Sequence, residues 1–239
     1  MDTFPEDAKE HLPPPVAALN RSEFEAILEQ HLLWLESRGR EGTRADLSNA
    51  QLPEAALQGC DLRGANLRNA NLQRAEMQLI NLSKADLRGA SMQYARLYKA
   101  SLREADLRGA SLIGAGMQEV GLQHALLEKA DLREADLREA DLRRSQLPGV
   151  LAVRANLFMA NLREVQWPEG LLSEADLQGA LLAGADLRSA QLIDVRISGA
   201  ELRGSNLCGA DLIGATGLTE EQLSRAQIDE YTRLPDQIS

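Results

Sequence analysis

The chain has 239 residues, a formal net charge of −10 and 44% hydrophobic residues, but only 3% aromatics. Leu and Ala supply the apolar content, which argues against a compact core of mixed large side chains, and no run of 18 apolar residues marks a helical membrane span. Two distant cysteines, Cys60 and Cys208, and an acidic start, "MDTFPEDAKEHLPPP", without basic or apolar signal regions, lead us to expect a reduced, cytoplasmic, non-secreted protein.

Residues 1–44 form a first segment. Pro13, Pro14 and Pro15 mark residues 1–20 as a flexible or polyproline lead-in. "SEFE", Ser22 to Glu25, reads as a capping box, and Phe24, Ile27, Leu28, Leu32 and Leu35 follow at helical spacing. The spacing predicts a helix over about 23–38, ended near Gly39, whose apolar stripe covers the first turn of the next segment. His31 and Trp34 are expected to flank that stripe as packing residues.

Residues 45–215 repeat every five positions. From Leu47 to Leu212 there are 34 units in unbroken register, with Leu at 28 of the centres. The exceptions are Met77, Met92, Met117, Ala152, Trp167 and Ile197. A small residue, Ala in 25 units, precedes each centre by two, and Asp or Asn often stands between them. A period of five turns by about 140° on a helix and alternates faces on a strand, so neither straight element buries the centres together. Residues two apart do share a face of a short extended segment, so the Ala–Leu pair points inward and the residue between them outward. A turn in each unit then brings the next pair inward, and four corners close a square coil. Stacked at about 4.8 Å, the units make about 8.5 coils, an all-β solenoid. The Asp and Asn residues are expected to bond local backbone at the corners, as Asx turns do.

"ADLRGASL", "ANLRNANL" and "ADLREADLREADL" resemble the A(D/N)LXX consensus of the pentapeptide repeat family. The resemblance covers Ala45 to Gly214. It implies a right-handed quadrilateral β-helix and a structural motif with no catalytic residue.

The stretch Ser145 to Ser173 departs from the pattern. Pro148 and Pro168 sit one coil apart, Ala152 is an undersized centre, Trp167 an oversized one, and Gly170 replaces an inward Ala. A bulge or loop is expected, with Trp167 displaced outward or capping a widened coil. Leu151, Val153, Phe158, Met159 and Leu171 occupy outward positions that are polar elsewhere. Together with Trp167 they form a candidate partner-binding surface, the other reading being a loop that buries its own apolar residues. Residues 216–239 then read as a C-terminal helix, with Thr219 as N-cap and Gln222 three later, and a tail that frays beyond Pro235.

No catalytic constellation emerges. His11, His31 and His124 share no ligand spacing with one another or with the cysteines, and no Ser–His–Asp context exists. "GAGMQEVG" places its glycines at ordinary repeat positions. We expect no cofactor, metal, small-molecule substrate or membrane contact. The column Arg63, Arg103, Arg143, Arg163 and Arg203 is accompanied by acids, so it is read as a solvated face and not as a nucleic-acid site. The expected function is a non-catalytic scaffold, monomer or weak dimer, presenting flat walls to a protein partner. The alternative is a DNA-mimicking inhibitor or protector of gyrase of the fluoroquinolone-resistance type, as the family resemblance implies. Against it, residues 45–215 hold 22 acidic and 19 basic residues. That is a weak copy of a duplex carrying one charge per about 1.7 Å.

Overall fold

A computed structural model describes residues 21–238 of the chain, so the expected lead-in over residues 1–20 lies outside them. From Ala45 onward the backbone winds in parallel, each rung pairing with the one 20 residues later. Wall 1 is the column Asp46, Asn66, Asp86 and onward to Asn206, and wall 2 runs from Gln51 through Leu151 and Leu171 to Asp211. Wall 3 runs from Ala56 to Thr216, and wall 4 from Asp61 to Glu201. Each rung is a single bridging residue, shorter than a strand.

The unit centred on Leu107 shows why five residues suffice. Leu107 and Gly109 N–H donate upward to the carbonyls of Leu126 and Glu128, at 2.7 and 2.9 Å. Asp106 N–H donates downward to Ala85 (3.0 Å), and Ala110 N–H closes the turn onto the Leu107 carbonyl (2.9 Å). The fifth donor, Arg108 N–H, finds no backbone acceptor and goes to Asp106 Oδ1 at 3.2 Å. Every donor is thereby satisfied, as a buried or half-buried backbone requires. The turn is type II in character: the second residue after each centre, from Asn49 to Gly214, has φ near +60°.

This scheme corrects one expectation. Pro148 and Pro168 cause no bulge, because they occupy the position whose N–H the ladder leaves unused, and the bridges Gln146↔Gln166 and Gln166↔Asp186 continue through them. Pro53 stands at the same position. In each of these units the residue two before the proline is Gln (Gln51, Gln146, Gln166), where other units often carry Asp or Asn. With no N–H to bond, the Asx acceptor has no task there.

The inward pairs are buried along the array, Leu107 and Ala105 among them, apart from the half-buried Ala55 and Cys60 near its start. Trp167 is also inside, fully buried, so its expected outward displacement is incorrect. Its space comes from Gly170, where a Cβ would overlap Trp167 Cδ1 and Nε1. Ala152, the undersized centre, is buried one coil before Leu172.

Helix α1, Arg21–Glu36, starts before Ser22, so Ser22 lies within the helix and does not cap it. Phe24, Ile27 and Leu28 pack against the repeat core. The stripe continues to His31, seven residues after Phe24, and not to Leu32, which is 50% exposed. The helix stops with Arg38 at φ 57° ahead of Gly39, whose N–H returns to the Trp34 carbonyl at 2.8 Å.

At the other end α2 is only Glu220–Ser224, with the expected Thr219–Gln222 capping box. The tail does not fray. Gln227 and Arg233 add rungs above Asn206 and Asp211, and Leu234 and Ile238 pack on the core. The tail holds because it supplies the acceptors for Leu207 and Leu212 N–H, at 2.8 and 2.7 Å.

Candidate interaction surface

Most of the outer surface is self-neutralised. Within single units, Asp61–Arg63, Asp86–Arg88, Asp106–Arg108, Asp131–Arg133, Asp136–Arg138, Asp141–Arg143 and Asp186–Arg188 form ion pairs. The Asp therefore serves twice, accepting the turn N–H and pairing with the Arg two residues on. The Arg88 guanidinium holds the Asp86 carboxyl below the usual range, and Arg108 does the same for Asp106. On wall 4, a depression of about 350 Å³ is lined by Arg103, Gln123, His124, Arg143, Arg144, Arg163 and Glu164. Each guanidinium there already faces a carboxylate: Arg103 faces Glu104, Arg143 Asp141, Arg144 Glu164 and Arg163 Glu201.

The candidate residues divide among three walls. Leu151 and Leu171 are successive rungs of wall 2, with Val153 beside Leu151, all half-buried. Phe158 (37% exposed) and Met159 (54%) lie past the next corner, on wall 3. Trp167 is enclosed on wall 1 and presents nothing to a partner; its role is internal packing.

Sequence reasoning missed the continuation of wall 2. Ile193 and the 39% exposed Ile213 stand in the Val153 column, 40 and 60 residues further on, with Ser173 between, so apolar residues recur on this wall toward the C-terminal end. It also missed Leu79, Tyr94 and Tyr98, exposed large side chains on the corner between walls 2 and 3 and on wall 3. Tyr94 lies against Gly114, and Lys99 Nζ stands 5.0 Å from the Tyr98 ring centroid. The signal was available, since all are apolar or aromatic at positions one or two after a centre.

His31 is the other buried polar group of consequence. Its Nδ1 accepts the N–H of Ala45, the first inward residue, at 3.0 Å, and its ring stacks on Trp34 at 5.5 Å. Burial pushes its pKa below the usual 6.5, against the opposing pull of Asp61. The sequence placed His31 at the margin of the helix stripe; it is in fact fully buried. Among the described residues, no group of three or more His, Cys, Asp or Glu side chains is placed to hold a metal ion.

Parallel single-residue rungs, a Leu/Ala interior and four walls define a β-solenoid of one repeated unit. The chain belongs to the pentapeptide repeat family: residues 45–83, 80–118, 117–151, 171–207 and 190–216 match its repeats, in 8 copies. It shares that family's right-handed quadrilateral β-helix. The unmatched residues 152–170 are the stretch that holds Ala152, Trp167 and Gly170. Among solved structures, the chain is similar to HetL, a pentapeptide repeat protein involved in heterocyst differentiation regulation in the cyanobacterium Nostoc sp. strain PCC 7120. The identity is 29% over 92% of this chain and 100% of that one, with a TM-score of 0.40. It is also similar to QnrB1, a plasmid-mediated fluoroquinolone resistance protein, at 16% identity over 78% and 87% of the two chains and a TM-score of 0.50. A third is a pentapeptide repeat protein from the Arabidopsis thaliana thylakoid lumen, 22% identical over 52% and 68%, with a TM-score of 0.19. None of the curated proteins matches the chain.

Proposed function

We propose that the protein is a non-catalytic scaffold, its rod closed by α1 at one end and by α2 with the tail at the other, and that wall 2 docks a protein partner. The observation that carries this reading is the group of apolar residues on wall 2, Leu151 and Leu171 in the rungs and Val153, Ile193 and Ile213 in the column beside them, on a rod whose surface is otherwise dominated by polar side chains and ion pairs. Exposed apolar patches on polar surfaces are the usual mark of an interaction site. Phe158 and Met159 extend it around the corner. Flat walls of this kind lack the deep concavity that substrate chemistry needs.

The test compares partner capture from the native host by the wild-type chain and by two variants, Leu151→Ser with Leu171→Ser and Phe158→Ala with Met159→Ala. The expected outcome is loss of capture with a melting temperature within a few degrees of wild type. Falling stability with capture intact would assign the patch to the rod's own packing. A gyrase-directed role is the second reading, resting on the shared fold with QnrB1. Supercoiling by gyrase with and without ciprofloxacin is expected to be unaffected by the protein; protection of the enzyme would favour that reading instead.

A further inference from the structure

Wall 2 carries a charge pattern as well as an apolar one. Its two edges are the corner columns, one before and one after the rungs. On the far edge stand Glu134, Arg154, Glu174 and Asp194, one rung apart, and on the near edge Lys129 and Glu169. Arg154 is spent on Glu174, which it meets through Nε at 2.8 Å. Among the described residues, Glu134, Glu169 and Asp194 are exposed and have no ion-pair partner. The neighbouring cations are already engaged: Arg133 with Asp131, Lys129 with Glu128, and Arg233 with Asp211. An apolar strip is thus flanked on both sides by exposed carboxylates outside any ion pair, and among the described residues the cations beside it, including Arg154 near Glu134, already face other carboxylates.

We propose that wall 2 receives an amphipathic α-helix whose apolar stripe is bordered by Lys or Arg, lying along the rod axis. This rests on the scaffold reading and names the chemistry of its partner. Geometry supports a helix in this direction: the rungs rise by about 4.8 Å and a helix turn by about 5.4 Å, so one apolar side chain per turn stays near register over the three steps from Val153 to Ile213, with Leu171 supplying the apolar contact at the level of Ser173. Charge selects its flanks. Cations beside the apolar stripe would meet Glu169 on one edge and Glu134 and Asp194 on the other, and such complementarity steers association and rejects like charge. The same carboxylates repel nucleic-acid phosphates and anionic lipid headgroups.

The probes are three labelled model helices of about five turns with one Leu stripe, their flanks built from Lys, from Gln or from Glu. Binding to the full-length chain is read by fluorescence anisotropy at low and high salt. The Lys-flanked helix is expected to bind at least about tenfold more tightly than the Glu-flanked one, and less so at high salt. Val153→Ser with Leu171→Ser should abolish its binding. Glu134→Gln with Glu169→Gln and Asp194→Asn should weaken it by about tenfold and flatten the salt dependence. If the Lys-flanked helix binds wild type and the Ser variant alike, the attraction is only that of an acidic protein, and the proposal falls. Wall-dependent binding of all three helices with equal affinity overturns the cationic preference but leaves the scaffold reading standing. Absence of wall-dependent binding to any of them overturns the helix proposal, while the scaffold reading then stands or falls on the capture experiment. Wall-dependent capture of duplex DNA or phosphatidylserine vesicles would overturn the proposal in favour of those surfaces.

Discussion

At the residue scale, each of the five positions in a unit has a separate backbone task, and the side chains follow from it. The position after the centre has a free N–H, which an Asp or Asn two residues earlier accepts and which a proline removes. Gln58 occupies that position in a unit whose preceding outward residue is Ala56, which has no acceptor to offer. Gln58→Pro should therefore keep the fold and add about 0.4–1 kcal/mol by restricting the unfolded chain, measured by urea denaturation. Glu76→Pro is the control. It deletes the N–H that donates to the Ala55 carbonyl at 2.9 Å, and should lower stability by more than about 1 kcal/mol. If the two variants behaved alike, the assignment of donors within the unit would be wrong.

At the scale of the element, the irregular unit around Trp167 is a matched set. Gly170→Ala should overpack it by about 1–3 kcal/mol, because the new methyl overlaps the indole. Trp167→Leu should cost about 2 kcal/mol through the space left behind. Combined, they should cost less than their sum, and a double-mutant cycle measures that coupling. Helix α1 makes a different prediction. His31 Nδ1 is an acceptor in the fold, so the ring must be neutral there, and burial lowers its pKa. The unfolded state then binds a proton more readily than the folded one. The contribution of His31 is fully present above pH 6.5 and is lost as pH falls from 6.5 toward the lower folded value. Hydrogen exchange at Ala45 and along α1 should accelerate at pH 5 relative to pH 7, after correction for intrinsic rates. A His31→Gln variant should lose that difference, and a pH response that survives in it would exclude His31 as the origin.

At the scale of the whole molecule, the repeat, its inward pairs and its Asx corners were legible because a period of five admits few closed geometries and persists from Leu47 to Leu212. What was not legible depends on packing and bonding that the hydrophobic pattern alone does not show. Trp167 looked too large until Gly170 was placed against its ring, and Pro148 looked disruptive until its position was found to need no N–H. Leu32 looked like a stripe residue by hydrophobicity, whereas the angular spacing from Phe24 selects His31. On wall 2, Leu151, Val153 and Leu171 stood out as a local cluster, but Ile193 and Ile213 joined them only once the coil was wound. This winding carries one more consequence. Inward pairs are nearly interchangeable among walls, whereas outward columns are defined by strict multiples of 20 residues. Deleting one five-residue unit would leave the interior close to self-consistent, yet would shift the phase of everything beyond it by a quarter turn, carrying Ile193 and Ile213 from wall 2 to wall 1. The fold and its exterior message are thus written in two different frames, and only changes of a full coil preserve both.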